Sequence, residues 1–296
     1  MQRYLLAYLT LASFASLDVS AASRSNGSSF PWGPTVIYGE DNRLDLYQVT
    51  NAQHLDLADS TVALVKSSSI LAGATDTSTL QGRTFGEAMN LCADEPFREQ
   101  KSAAFCSGFL VNEDTVVTAG HCIRGPSDCS TTKFVFGYGL KTPTAAYTEI
   151  KNEEIYSCQS ITHTEVNNRG ADFAVIKLDR RVLNHRTAEL RREGAAAVGS
   201  EVVVIGHPSG LPTKVAAGAK VRRLDNNFFV ASLDTYGGNS GSAVFNNTDG
   251  KVEGILVRGE TDFRSQGSCT VSNRCAADGC RGEDVTMIST VLPHIR

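Results

Sequence analysis

The feature that most limits how this chain can fold is a recurrence of short β-branched and aromatic runs, at 61–66, 105–111, 115–118, 134–138, 173–178, 201–206, 228–233, 252–257 and 285–291. Each has strand length, most are bounded by Gly, Asn, Asp or Ser, and little between them keeps a helical period. The pattern predicts an all-β protein, closed or sandwiched. Two segments read as helical, 187–197, which is rich in Ala and Arg, and a shorter one at 85–91. The first separates the two groups of strands and is taken as the domain boundary. The stretch 67–104 carries few strand signals and reads as an insertion or irregular loop. No repeat recurs at a fixed period.

With 296 residues the chain can bury one large core or two small ones. A formal net charge of −4 builds in no broad attraction to nucleic acid or to an anionic membrane. Met1-Gln2-Arg3, an apolar run over 4–17 and Val19-Ser20-Ala21 match a cleavable export signal, too short to span a bilayer. Cleavage is expected after Ala21, with a soluble, secreted product. The following residues, to about Pro34, are rich in Ser, Gly, Asn and Pro and read as a processed arm. All eight cysteines lie beyond this region, and an even count in an exported chain argues for disulfides. Cys269, Cys275 and Cys280 lack the paired C-x-x-C spacing of structural zinc sites.

Three local motifs carry chemistry. Thr118-Ala119-Gly120-His121-Cys122 puts a histidine at the end of a β-run, where a tight turn can present its imidazole as a general base. In Gly170-Ala171-Asp172, followed by Phe173-Ala174-Val175-Ile176-Lys177-Leu178, a carboxylate stands directly before an apolar strand. From there it can accept the second imidazole N–H and fix the tautomer. Asp179 closes the same run but lies roughly 20 Å away at 3.3 Å per residue, so only one of the two can meet His121. In Gly237-Gly238-Asn239-Ser240-Gly241-Ser242 a hydroxyl sits between glycines. The N–H groups of Gly238 and Ser240 can there converge on an oxyanion, which is worth about 3 kcal/mol per donor.

The order His, Asp, Ser differs from the Ser, Asp, His of α/β-hydrolases and the Asp, His, Ser of subtilisins. Through TAGHC, DFAVIKL and GGNSGSAVF the chain resembles the chymotrypsin/trypsin family of serine peptidases, from about Thr61 to the C-terminus. The resemblance implies two six-stranded antiparallel β-barrels, 61–186 and 187–296, with the active site between them. It implies His121 and Asp172 from the first barrel, Ser240 from the second, a Cys106–Cys122 disulfide, and an acyl-enzyme mechanism without metal or cofactor. The remaining six cysteines allow 15 pairings; Cys129 with Cys158 is one suggestion. Expected partners are protein or peptide substrates of a monomeric enzyme. No D-x-D-x-D calcium loop is present.

The family pattern is not followed throughout. Trypsin-like zymogens pair a freed Ile or Val amine with an Asp before the nucleophile, but that residue here is Asn239. GGNSG is similar to the glutamyl endopeptidase branch, and Val36-Ile37-Tyr38-Gly39-Glu40-Asp41-Asn42-Arg43 resembles the mature N-terminus of that group. The resemblance implies a prosegment, 22–35, within an arm that extends to residue 60. Asp234 matches the pocket-floor Asp that selects basic residues, and Thr235, Arg258 and Gly259 match other substrate-binding positions. Leu256 stands where a glutamyl enzyme should carry His, so of the acidic-substrate residues only Thr235 fits. Basic P1 residues are therefore expected, with acidic P1 as the alternative. Arg258 could turn inward onto Asp234 or outward onto substrate. A non-catalytic binding or adhesion protein on the same fold is the reading from another class. Asn26 and Asn246 stand in glycosylation sequons.

Overall fold

Twelve strands make up two barrels in a computed structural model that describes residues 36–167 and 170–295. The export segment 1–21, the prosegment 22–35 and Asn26 lie outside the described residues. The first six strands are β1 (Thr61–Lys66), β2 (Cys106–Asn112), β3 (Thr115–Thr118), β4 (Thr132–Val135), β5 (Ile155–Val166) and β6 (Asp172–Leu178). They close as β5-β6-β3-β2-β1-β4, and β4 returns to β5, every pair antiparallel.

The second six are β7 (Glu201–Gly206), β8 (Lys214–Leu224), β9 (Phe228–Ala231), β10 (Ala243–Asn246), β11 (Val252–Arg258) and β12 (Glu283–Met287). They run β7-β10-β11-β12-β9-β8, and the β7–β8 pairing closes the ring. Arg43–Asp45 adds a short edge strand to β8.

The continuous apolar run Val202-Val203-Val204-Ile205 shows why both faces of β7 are buried. Side chains alternate across a strand. Val202 and Val204 enter the second core with Phe229, Val244, Leu256 and Val285. Val203 and Ile205 enter the larger core that also holds Leu64, Phe109 and Phe173 of the first barrel. Burying each such side chain contributes about 1.5–3 kcal/mol, so the barrels are joined by a shared apolar layer.

Several elements differ from the sequence expectation. Residues 187–197 form no helix; Leu190 bridges Val252, and Arg191 is ion-paired to Asp249 and Glu253. The segment is an extended strap across the second barrel, with Gly194 in the left-handed region at φ +73°. The run 285–291 is strand only to Met287, and Ile288–Val291 is helical. Ile288 and Val291 are both buried three residues apart, a helical spacing. Within 67–104 lie short strands, Ile70–Ala72 and Thr77–Leu80, where an irregular loop was expected, whereas the helix expected at 85–91 is present as Phe85–Met89, capped by Thr84 and Glu87.

Candidate active site

His121 lies in a 3-10 turn, Gly120–Cys122, directly after β3. Gly120 is required there, because a Cβ would fall on the carbonyls of Glu165 and Phe173. Asp172 opens β6 and is buried. Its Oδ1 accepts the His121 main-chain N–H at 3.0 Å and its Oδ2 accepts Nδ1 at 2.8 Å. A carboxylate only accepts, so the imidazole proton sits on Nδ1 and the Nε2 lone pair faces away from Asp172. The Asp172 main-chain N–H donates to Thr286 Oγ1 of β12 at 3.2 Å.

Ser240 enters from the loop between β9 and β10 and is held by its main chain. Its carbonyl accepts the Ser107 N–H at 2.8 Å, and the Cys122 sulfur lies 3.8 Å from the same oxygen. Gly241 has φ +91°, and a Cβ on it would overlap the Ser107 carbonyl and Thr118 Oγ1. The Ser240 loop therefore rests on the strands and turn that carry His121. Gly238 has φ +92°, and a Cβ there would come within 3.0 Å of the Gly210 nitrogen. Among the described residues, neither the Gly238 nor the Ser240 N–H has a protein acceptor. Both are available to an oxyanion.

Asn239 is internal. Its Nδ2 donates to Thr235 Oγ1 at 2.5 Å and its Oδ1 accepts from Ser242 Oγ at 2.8 Å. The Thr235 hydroxyl thus serves the loop. Asp234 faces the N-terminal segment, accepting the Tyr38 N–H at 2.7 Å and the Asn42 N–H at 2.9 Å. Burial pushes its carboxyl up to about 6, against these two donors. Arg258 does not turn onto Asp234, the inward orientation considered from sequence. Its guanidinium bonds the carbonyls of Asn167 and Gly170, and its Nε bonds Asp284. Gly259 backs onto Glu283, whose carboxylate a Cβ there would overlap.

Three further residues escaped sequence reasoning. Ser107 Oγ donates to the Gly238 carbonyl at 3.1 Å and accepts the His207 N–H at 2.9 Å. Asp262 accepts the Gly237 N–H at 2.9 Å. Glu283 is fully buried, accepts from Tyr38 Oη at 3.2 Å, and has Oε2 without a partner. Burial, reinforced by nearby Asp262, holds its carboxyl well above the usual range. The signal available was a serine inside an apolar strand, an acid between Thr261 and Phe263, and an acid after Gly282, each too common to single out.

Disulfides join Cys106 to Cys122, Cys129 to Cys158, Cys92 to Cys269 and Cys275 to Cys280. The first ties β2 to the His121 turn. Ligand atoms of Cys106, His121 and Cys122 lie within 4.8 Å of one another. The two sulfurs are bonded to each other and offer no thiolate, so the trio does not fit a metal ion.

A family model described as a trypsin-like peptidase domain matches residues 106–255, just over half of the sequence, and the chain belongs to that family. Snake venom serine protease 1 of Craspedocephalus gramineus is 34% identical over 114 residues, which are 38% of this chain and 42% of that protein. The extracellular metalloprotease of Bacillus subtilis (strain 168) is 29% identical over 150 residues, 48% of this chain and 46% of that protein. The chain thus spans less than half the length of these curated relatives. A solved structure of a Glu endopeptidase in complex with MPD superposes with a TM-score of 0.49 at 18% identity, covering 87% of this chain and 97% of that one.

Proposed function

We propose that this chain is a secreted serine endopeptidase that cuts peptide bonds through His121, Asp172 and Ser240. The observation that carries the reading is the double hydrogen bond from His121 to Asp172, beside a nucleophile loop seated on the same strands. Ser240 Oγ attacks the scissile carbonyl while His121 Nε2 takes the hydroxyl proton, and Asp172 stabilises the imidazolium. The carbonyl oxygen, now negative, receives the N–H groups of Gly238 and Ser240. His121 then gives its proton to the leaving amine, which departs and leaves an acyl-enzyme. Water, deprotonated by His121, attacks the ester and releases the acid and free Ser240. No metal or cofactor takes part in these steps.

Four disulfides and the export-like N-terminus support secretion. Among the described residues, no helix is long and apolar enough to cross a membrane. Labelling by an organophosphonate serine-hydrolase probe tests the chemistry. The expected result is covalent modification that is lost in Ser240→Ala and His121→Ala. Wild-type protein that is not labelled would overturn the reading in favour of a binding protein on this fold.

The preferred P1 residue is basic. The support is the place of Asp234, six residues before Ser240; its carboxylate is buried and accepts the Tyr38 and Asn42 N–H groups. Leu256 is packed in the second core, which leaves the acidic alternative without a side chain to carry it. Cleavage of a peptide library by wild type and Asp234→Ala is the test. Selection of Lys and Arg that weakens in the variant is expected, and a preference for Glu would reject it.

A further inference from the structure

We infer that Arg258 is a positioning residue that locks Asp172, on the first barrel, against the barrel that carries Ser240. This rests on the peptidase reading of the site. Arg258 ends β11, and its partner across the sheet is Asp284 of β12. Its guanidinium uses three edges at once. Nε meets Asp284 Oδ2 at 3.2 Å, Nη1 meets the Asn167 carbonyl at 2.9 Å, and Nη2 meets the Gly170 carbonyl at 2.8 Å. Arg281 holds the other oxygen of Asp284 at 2.6 Å, so the acid that anchors the fork is itself fixed.

The direction of these bonds matters. The arginine belongs to the second barrel and both carbonyls to the first, and Gly170 lies two residues before Asp172. Thr286, on β12 two residues from Asp284, meets the Asp172 main chain. The approach to the triad aspartate is thus bonded to the opposite barrel through a planar, rigid fork that a lysine ammonium cannot reproduce. Nη1 lies 3.9 Å from Asp172 Oδ2, the oxygen that holds His121, too long for a hydrogen bond but within ion-pair reach. The side chain is 20% exposed, so solvent screens but does not replace these contacts. With three bonds already made, the guanidinium is committed to the protein and not to substrate.

A misplacement of about 1 Å in a catalytic group costs up to about 100-fold in rate. For Arg258→Ala we expect kcat to fall roughly 10- to 100-fold with KM within about twofold, measured on a short ester or anilide substrate. Arg258→Lys should recover only part of that loss, and Arg258→Met none. A raised KM with unchanged kcat would instead make Arg258 a substrate contact and overturn the inference, as would unchanged kinetics. If the alanine variant does not fold, Asp284→Asn keeps the test open, since it loosens the fork while leaving Arg258; unchanged kcat there also overturns it. Failure of the underlying reading looks different, because wild type itself would then neither label with the phosphonate probe nor turn over.

Discussion

His121 spends two N–H groups on one residue. Its main chain meets Asp172 Oδ1 at 3.0 Å and its ring Nδ1 meets Oδ2 at 2.8 Å. An amide in place of this carboxylate has one acceptor and one donor, so it cannot accept both. In Asp172→Asn the side-chain amine would face Nδ1 and move the ring proton to Nε2, where the nucleophile needs a lone pair. We expect kcat near neutral pH to fall on the order of 10⁴-fold with the melting temperature little changed. Steady-state kinetics together with calorimetry would check this. A loss below tenfold would mean that Asp172 does not set the tautomer.

Gly238 is held at φ +92° with its α-carbon facing the nitrogens of Ser209 and Gly210. A side chain there is strained by its backbone conformation and crowded by main chain that cannot move aside. Gly238→Ala should turn the loop and withdraw one oxyanion donor, lowering kcat about 10²- to 10³-fold, with a much smaller effect on KM. Rates of acylation by an ester substrate would report this directly.

Ser107 ties the oxyanion loop to the end of β7, since its hydroxyl bonds both the Gly238 carbonyl and the His207 N–H. Ser107→Ala leaves two buried main-chain groups unpaired, at a cost of about 1–3 kcal/mol for each. A lowered midpoint in urea is expected, accompanied by roughly tenfold slower labelling of Ser240. Loss of stability with unchanged labelling would separate the loop's support from its catalytic geometry.

How far the site was legible in the sequence follows from the reach of each interaction. His121, Asp172 and Ser240 each stand in a local pattern, a strand end, a strand start and a glycine-flanked hydroxyl, and such patterns survive without knowledge of the fold. Arg258 was visible as a residue, but its carbonyl partners lie 91 and 88 positions away and depend on how the barrels meet. Asp234 reads as a pocket acid from its place before Ser240, while its bond to Tyr38, 196 positions away, is seen only in the fold. Strand β5 was missed because bulges near Cys158 and Ile161 break its two-residue period, and few of its residues are fully buried. Strand β8 was missed for a similar reason, with Gly218 at φ +88° beside a register shift.

The wall of the first barrel contains a charge whose partners set a pH window. His185 Nδ1 lies 2.9 Å from Asp59 and Nε2 lies 2.6 Å from Glu154, and the ring stacks on Phe136 with centroids 4.6 Å apart. Burial alone would lower its pKa, but the hydrogen bonds to Asp59 and Glu154 outweigh it and raise the value to about 9. An unfolded histidine titrates near 6.5. The folded state therefore binds the proton more tightly, so the stabilisation is full below about pH 6.5 and is lost as the pH rises through 9. Comparing melting temperatures of wild type and His185→Gln from pH 6 to pH 10 tests this. The gap should be widest near pH 6 and should shrink towards pH 10, because glutamine does not titrate. An equal gap at both ends would mean that packing on Phe136, and not the charge between two carboxylates, holds this histidine in place.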